Sequence, residues 1–173
     1  MSEQHQDMTL RLRALEPEDL DFLYRIENDQ RLWRVGVTNV PYSKYTLTNY
    51  IVGNANDIYV DRQVRLIMEN GEGRVIGMLD LTNFSPRHLR AEIGIVVVEP
   101  ERNKGYGRQA IERAIAYSRE MLHLHQLYAV VDTENPSSLH LFQTAGFQEA
   151  GILKQWLFGD HKYHDAVLMQ FFL

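Results

Sequence analysis

Between Ala91 and Val98 the chain reads Ala-Glu-Ile-Gly-Ile-Val-Val-Val. The apolar residues are nearly continuous and mostly β-branched, the pattern of a strand covered on both faces. Such a strand needs a layer on each side, which limits the chain to a sheet flanked by helices. The next segments supply covering elements. Arg108–Leu122 places Ala110, Ile111, Ala114, Ile115, Ser118, Met121 and Leu122 on one helical stripe. Gln126–Asp132 reads as another short apolar strand. Asn135-Pro136 opens a second helix with an N-cap residue and a proline at its first position. Gly146 stands where a helix ends on a left-handed residue.

The flanks extend this layout. Thr9–Leu15 alternates polar and apolar residues as a half-buried strand does, and Glu16-Pro17-Glu18-Asp19 reads as a helix start. Ser43–Asn54 is the best helical piece of the irregular stretch Arg31–Tyr59. Val64–Glu69 and Arg74–Phe84 are joined by the turn Asn70-Gly71-Glu72-Gly73, and Ile152–Phe158 and Tyr163–Leu173 by Gly159-Asp160-His161-Lys162. The order hairpin, strand, helix, strand, helix, hairpin predicts a mixed α/β (α+β) domain with six or seven strands, mostly antiparallel. Residues 1–8 read as a loose polar end and residues 9–173 as one domain. A chain of 173 residues buries about 70% of its unfolded surface, enough for a core of its own.

Composition removes several classes of function. The chain has no cysteine, so thiolate metal sites, disulfides and a cysteine nucleophile are excluded. A net charge of −5 is the wrong sign for a nucleic-acid partner. The first residues contain no apolar secretion segment and no stretch approaches membrane-spanning length, so the expectation is a cytoplasmic protein without membrane contact.

The most informative loop leaves the buried strand and enters the long helix: Glu99-Pro100-Glu101-Arg102-Asn103-Lys104-Gly105-Tyr106-Gly107-Arg108. A helix start offers free backbone N–H groups and a partial positive charge. Gly105 and Gly107 carry no Cβ, so the backbone can curl and a phosphate can approach. Arg102, Lys104 and Arg108 add positive charge. The spacing points to a phosphate or pyrophosphate, with a plain tight turn bearing surface basic residues as the alternative. The loop has no Gly-Lys-Ser/Thr and lacks a third glycine, so it matches neither the nucleoside triphosphate loop nor the dinucleotide fingerprint.

The chain resembles the GNAT superfamily of acetyl-CoA-dependent N-acetyltransferases, and within it the spermidine and ribosomal-protein N-terminal acetyltransferases. The resemblance rests on Arg102-Asn103-Lys104-Gly105-Tyr106-Gly107 between strand and helix. It rests also on Asn135 to Ala145 followed by Gly146-Phe147, and on the opening and closing segments. It implies that the pantetheine arm of acetyl-CoA pairs with the backbone of Val96, Val97 and Val98 as an added strand. The pyrophosphate would lie on the N–H groups of residues 103–108, with Asn135 near the cysteamine end and Phe142 beside the cofactor. A main-chain N–H of Val97 or Val98 would polarise the thioester carbonyl. No metal is implied. The acceptor would be a polyamine or other small amine, or a protein N-terminus.

The implied reaction is attack of an amine on a thioester. An amine of pKa about 10.4 is almost wholly protonated at pH 7, and freeing its lone pair costs about 4–5 kcal/mol. Glu92, at the start of the central strand, matches a glutamate common in relatives and is the candidate base; the alternative is a structural salt bridge. Asp80 is a weaker candidate. Many relatives protonate the leaving thiolate with a tyrosine where this chain has Phe142, which has no proton to give. Ser138 fits the Asn-x-x-Ser form of ribosomal-protein-type relatives and either replaces that acid or is merely a polar residue of the first helical turn. A thiol of pKa near 8.5 also leaves tolerably without help. A chain that kept the cradle and lost turnover would be an acyl-CoA-binding regulatory module, and a nucleotide-binding domain is a third reading.

His123-x-His125 and His161-x-x-His164 read as solvated or helix-terminal histidines, not ligands. Trp33, Tyr42, Tyr45 and Tyr50 either line an acceptor pocket or pack short helices. Glu27, Asn28 and Asp29 stand where the spermidine enzymes face their polyamine, whereas the acidic pair those enzymes carry further on looks like Thr38-Asn39 here. The apolar tail Val167–Leu173 either covers the core or pairs across a homo-oligomer.

Overall fold

A computed structural model describes residues 9–33 and 40–173. Thr38 and Asn39, and the polar residues 1–8, lie outside the described residues. Seven strands form one sheet in the order β1-β2-β3-β4-β5-β7-β6. They are β1 (Arg11–Ala14), β2 (Val64–Glu69), β3 (Val75–Ser85), β4 (Arg90–Val97), β5 (Gln126–Asp132), β6 (Gln148–Gly159) and β7 (Lys162–Phe172). Every neighbouring pair is antiparallel except β4 and β5. The helices are α1 (Leu20–Glu27), α2 (Gln30–Trp33), α3 (Lys44–Gly53), α4 (Ile58–Asp61), α5 (Tyr106–Glu120) and α6 (Pro136–Thr144), with 3-10 turns at Pro17–Asp19 and Glu99–Glu101.

The central strand is covered on both faces, as its composition requires. Ala91 and Ile93 pack with Ala110, Ile111, Ala114 and Ile115 of α5 and with Phe142 of α6. Val96 and Val98 meet the second core, built from Phe22, Leu23 and Ile26 of α1, Leu47 of α3, and Ile67 and Met78 of the sheet. Local chemistry sets the ends of the elements. Ser43 Oγ accepts the N–H of Thr46 at 3.0 Å and starts α3. Gly146, at φ 96°, follows the end of α6. The β6–β7 turn is two residues long, with Asp160 and His161 both left-handed at φ 51° and 62°, the geometry of a type I′ hairpin. α4 was not expected, because four residues carry too little periodicity to be read.

β4 and β5 pair over three rungs only: Arg90 with Gln126, Ala91 with Leu127, and Glu92 with Tyr128. Beyond Tyr128, β5 continues beside β7 to Asp132, while β4 continues beside β3 to Val97. The sheet forks at Glu92.

Candidate active site

The fork exposes backbone along one edge of β4, and hydrogen-bond alternation decides which residues serve it. In an antiparallel pair, alternate residues turn both N–H and C=O toward the same neighbour. Val98 donates its N–H to Ile76 O at 2.9 Å, so Val98, and by alternation Val96, are committed to β3. Ile95 and Val97 therefore direct their polar groups into the fork. The side chain of Arg102 confirms this for Val97, donating Nε–H to its carbonyl at 2.9 Å. The expected roles are corrected accordingly: Val98 has no N–H to offer a thioester, and of the three valines only Val97 presents one.

At the head of the fork lies the glycine loop. Asn103 and Gly105 are left-handed, at φ 59° and 84°, which curls the chain around Lys104. Gln109 N–H is bonded to Gly105 O at 3.2 Å, so the N–H groups of Tyr106, Gly107 and Arg108 lie ahead of the helical ladder. A Cβ on Gly107 would stand 3.2 Å from Leu141, so the helix start is pressed against α6. The basic side chains are engaged: Lys104 with Glu101 at 3.1 Å and Arg108 with Glu112 at 2.8 Å. Both pairs are exposed and weak, so an arriving diphosphate can take over the cations. Arg102 acts on the strand end through Val97.

The other wall is α6. Asn135 Oδ1 accepts the N–H of Ser138 at 3.1 Å, and its own N–H is bonded to Asp132 O at 2.9 Å. The N-cap thus ties the end of β5 to the helix, with half-buried Ser138 in the first turn. Phe142 was expected beside the cofactor; the structure turns it into the core instead, 3% exposed, with its ring 5.0 Å from that of Phe147. An apolar ring with no polar atom gains more by burial there than beside a thioester.

On the α1 face of the sheet, register groups charged residues. Asp80 pairs with Gly94, and Glu92, two residues from Gly94, shares its face. Arg65 of β2 binds Asp80 through Nε at 2.8 Å and Nη2 at 2.7 Å, and reaches Glu27 of α1 at 2.6 Å. Tyr50 lies over the Arg65 guanidinium, 5.5 Å from ring centre to charge. Gly94 is exposed and a Cβ there would meet nothing within 4 Å, so open space runs over the strand between Glu92 and this cluster. Asn83 Nδ2 donates to Glu92 Oε2 at 2.8 Å.

Other sequence candidates resolve into packing. Tyr42 and Tyr50 join the second core, while Tyr45 is exposed. Trp33 donates Nε1–H to Glu27 O at 2.8 Å. Asn28 bridges α1 to the start of α3 by donating to Tyr42 O and accepting from Tyr42 N–H. Asp29 is tied to Arg31, whose hydrogen bond holds its carboxyl below the usual carboxylate range. His161 sits in the hairpin turn, and His164 is buried with Nδ1 3.3 Å from Glu134. Arg65, Asn83 and Tyr128 were missed by sequence reasoning. A lone arginine in a strand or an asparagine near a turn is too common to stand out, and only strand register brings them to the site.

Three comparisons bear on this geometry. A family model described as acetyltransferase (GNAT) domain matches residues 9–148. The spermidine N(1)-acetyltransferase of Vibrio cholerae is 31% identical over 160 residues, 92% of this chain and 91% of that protein. A solved structure of spermidine N-acetyltransferase from Vibrio cholerae in complex with CoA and spermine superposes with a TM-score of 0.84 at 31% identity, covering 94% of this chain and 95% of that one. A dodecameric structure of the same Vibrio cholerae enzyme matches with a TM-score of 0.79 at 31% identity, covering 94% and 93% of the two chains.

Proposed function

Because the chain belongs to the GNAT acetyltransferase family, and so moves an acetyl group from acetyl-CoA to an amine, we propose that its acceptor is a polyamine. One observation carries this reading. Among the described residues, three carboxylates, Glu27, Asp80 and Glu92, share the α1 face of the fork with two guanidiniums, Arg65, which binds Glu27 and Asp80, and exposed Arg90 at the strand's start. This leaves a net negative charge and a Glu92 without an ion-pair partner to draw a protonated amine. The Vibrio cholerae relative acts on spermidine by its name and was solved with spermine.

The steps follow from the walls of the fork. The diphosphate rests on the N–H groups at the start of α5, and the pantetheine arm runs along the β4 edge that Ile95 and Val97 offer. Ile95, which faces the fork three residues from Glu92, offers the N–H nearest the base and meets the thioester oxygen, where charge develops as the amine adds, while Val97 N–H holds the arm behind it. Glu92 takes the proton of the attacking ammonium, directly or through water, and so supplies the lone pair. The C–N bond forms, the C–S bond breaks and the thiolate departs. Ser138 is the hydroxyl that the first turn of α6 offers to the sulfur. Phe142 offers none, and a thiol's low pKa makes such help an acceleration, not a requirement.

Thiol release with acetyl-CoA and a panel of amines tests the assignment. Spermidine and spermine are expected to exceed butylamine and a peptide N-terminus by at least about tenfold in kcat/KM, from recognition of the second charge. Preference for the peptide would overturn the polyamine reading. Binding of CoA without turnover on any amine would make the chain a regulatory module.

The outer hairpin adds a second element of function. β6 is the sheet edge, and Ile152, Trp156, Phe158 and Tyr163 of this hairpin are 47–64% exposed. The tail does not lie at that edge: β7 sits between β5 and β6, with Val167 and Met169 buried. Self-association through β6 covers these side chains, in keeping with the dodecameric relative.

A further inference from the structure

Glu92 stands on the last rung before the fork, and two side chains reach it from either side. In a regular β3, residue 83 would point away from the face that Thr82 shares with Glu92. The register slips between Thr82 and Ser85, and Asn83 adopts a left-handed φ of 51°. That bulge turns the Asn83 amide back to Glu92, where Nδ2 donates to Oε2 at 2.8 Å. Bulges beside functional sites commonly re-aim one side chain in this way, and asparagine enters the left-handed region more cheaply than most residues. From the other strand, Tyr128 is the ladder partner of Glu92, and its hydroxyl interacts with both the Glu92 carboxylate and the Asn83 amide. Burial first, then the charge of Glu92, push the Tyr128 phenol up, against the opposing pull of Arg90. The phenol is therefore a neutral donor at physiological pH.

We propose that Asn83 and Tyr128 are positioning residues that hold the Glu92 carboxylate in the orientation from which it accepts the proton of the attacking amine. The proposal rests on the reading of Glu92 as the base. Neither donor carries a charge, so they fix the carboxylate without the neutralising ion pair that a lysine or arginine would impose. Arg90, two residues before Glu92 on the same strand face, is exposed and pairs across the ladder with Gln126. The reaction itself is unchanged: the proton leaves nitrogen for Glu92 as C–N forms and C–S breaks.

The test is steady-state thiol release with spermidine on Asn83→Gly, Tyr128→Phe, Glu92→Gln and the two doubles with Glu92→Gln. Glycine keeps the left-handed backbone of position 83 and removes only the amide. Each single positioning variant is expected to lower kcat about tenfold, with the CoA dissociation constant, the amine KM and the melting temperature close to wild type. Added to Glu92→Gln, neither substitution costs anything further. In a separate readout, ¹³Cζ-tyrosine NMR, with the Tyr128 signal assigned by its loss in Tyr128→Phe, should show that phenol titrating at lower pH in Glu92→Gln than in wild type. Wild-type kcat in both single variants while Glu92→Gln is impaired would overturn the positioning role, as would losses that multiply in the Glu92→Gln background. Wild-type kcat in Glu92→Gln would instead overturn the base itself. Should Tyr128→Phe melt early, exposed Asn83 decides the matter.

Discussion

Gly94 is the residue whose missing side chain matters most to the proposed path of the acceptor. It is exposed in the middle of the central strand, a Cβ there meets nothing, and carboxylates lie on both sides of it. Gly94→Phe is therefore expected to fold normally and bind CoA normally while raising the KM for spermidine about tenfold or more, since the ring would fill the acceptor's path. An unchanged KM would place the acceptor elsewhere. A different residue couples stability to pH. Burial pushes the Asp19 carboxyl up, but hydrogen bonds from Arg13 at 2.7 and 2.9 Å and from Glu16 N–H at 2.9 Å outweigh it and hold the carboxyl below its ordinary value. A depressed carboxyl stabilises the fold fully above the unfolded-state pKa near about 3.9 and loses that contribution as pH falls through the folded value. Asp19→Asn should cost about 1–2 kcal/mol at pH 7 in urea denaturation, because half-buried Arg13 loses one of its two carboxylate partners and keeps only Glu69 at 2.8 Å. The gap between variant and wild type should narrow on acidification below about pH 4.

At the scale of elements, the β3–β4 pair is the part that tolerates least. A Cβ on Gly77 would fall 2.3 Å from Val96 O, a backbone atom that cannot move without its strand. Gly77→Ala is predicted to destabilise the protein by about 2 kcal/mol and to weaken CoA binding by titration calorimetry, because the displaced strand is the one that lines the fork. Wild-type affinity in a destabilised variant would separate the two roles. Sequence patterning located most of the elements. Val64–Glu69 and Gln126–Asp132 match their predicted bounds, and Asn135-Pro136 and Gly146 bracket α6 as their backbone preferences require. The place of the glycine loop was legible for the same reason: glycines between a buried strand and an amphipathic helix leave few other geometries. The charged face beside Glu92 was not. Asn83 acts through a bulge, Tyr128 through a parallel rung and Arg65 through a partner 15 residues away in sequence, and none of these pairings has a local signature.

The whole molecule is a sheet that divides its labour at the fork. β1 to β4 carry the charged face and the open edge, while β5, β7 and β6 carry the opposite wall and the exposed aromatic hairpin. If that hairpin is where copies meet, Trp156→Asp should shift the light-scattering mass toward smaller species while CoA still binds; an unchanged mass would assign association to another surface. Among the described residues no helix is long and apolar enough to cross a membrane. The central claim, that the donor's arm lies along β4 as an added strand beneath a diphosphate held by the glycine loop, is tested most directly by residue-resolved amide exchange with and without CoA. Slowed exchange is predicted at Ile95, Val97 and residues 103–108, with Val96 and Val98 unaltered because their N–H groups already face β3. Slowing at Val96 and Val98 instead, or no slowing at the loop, would contradict it.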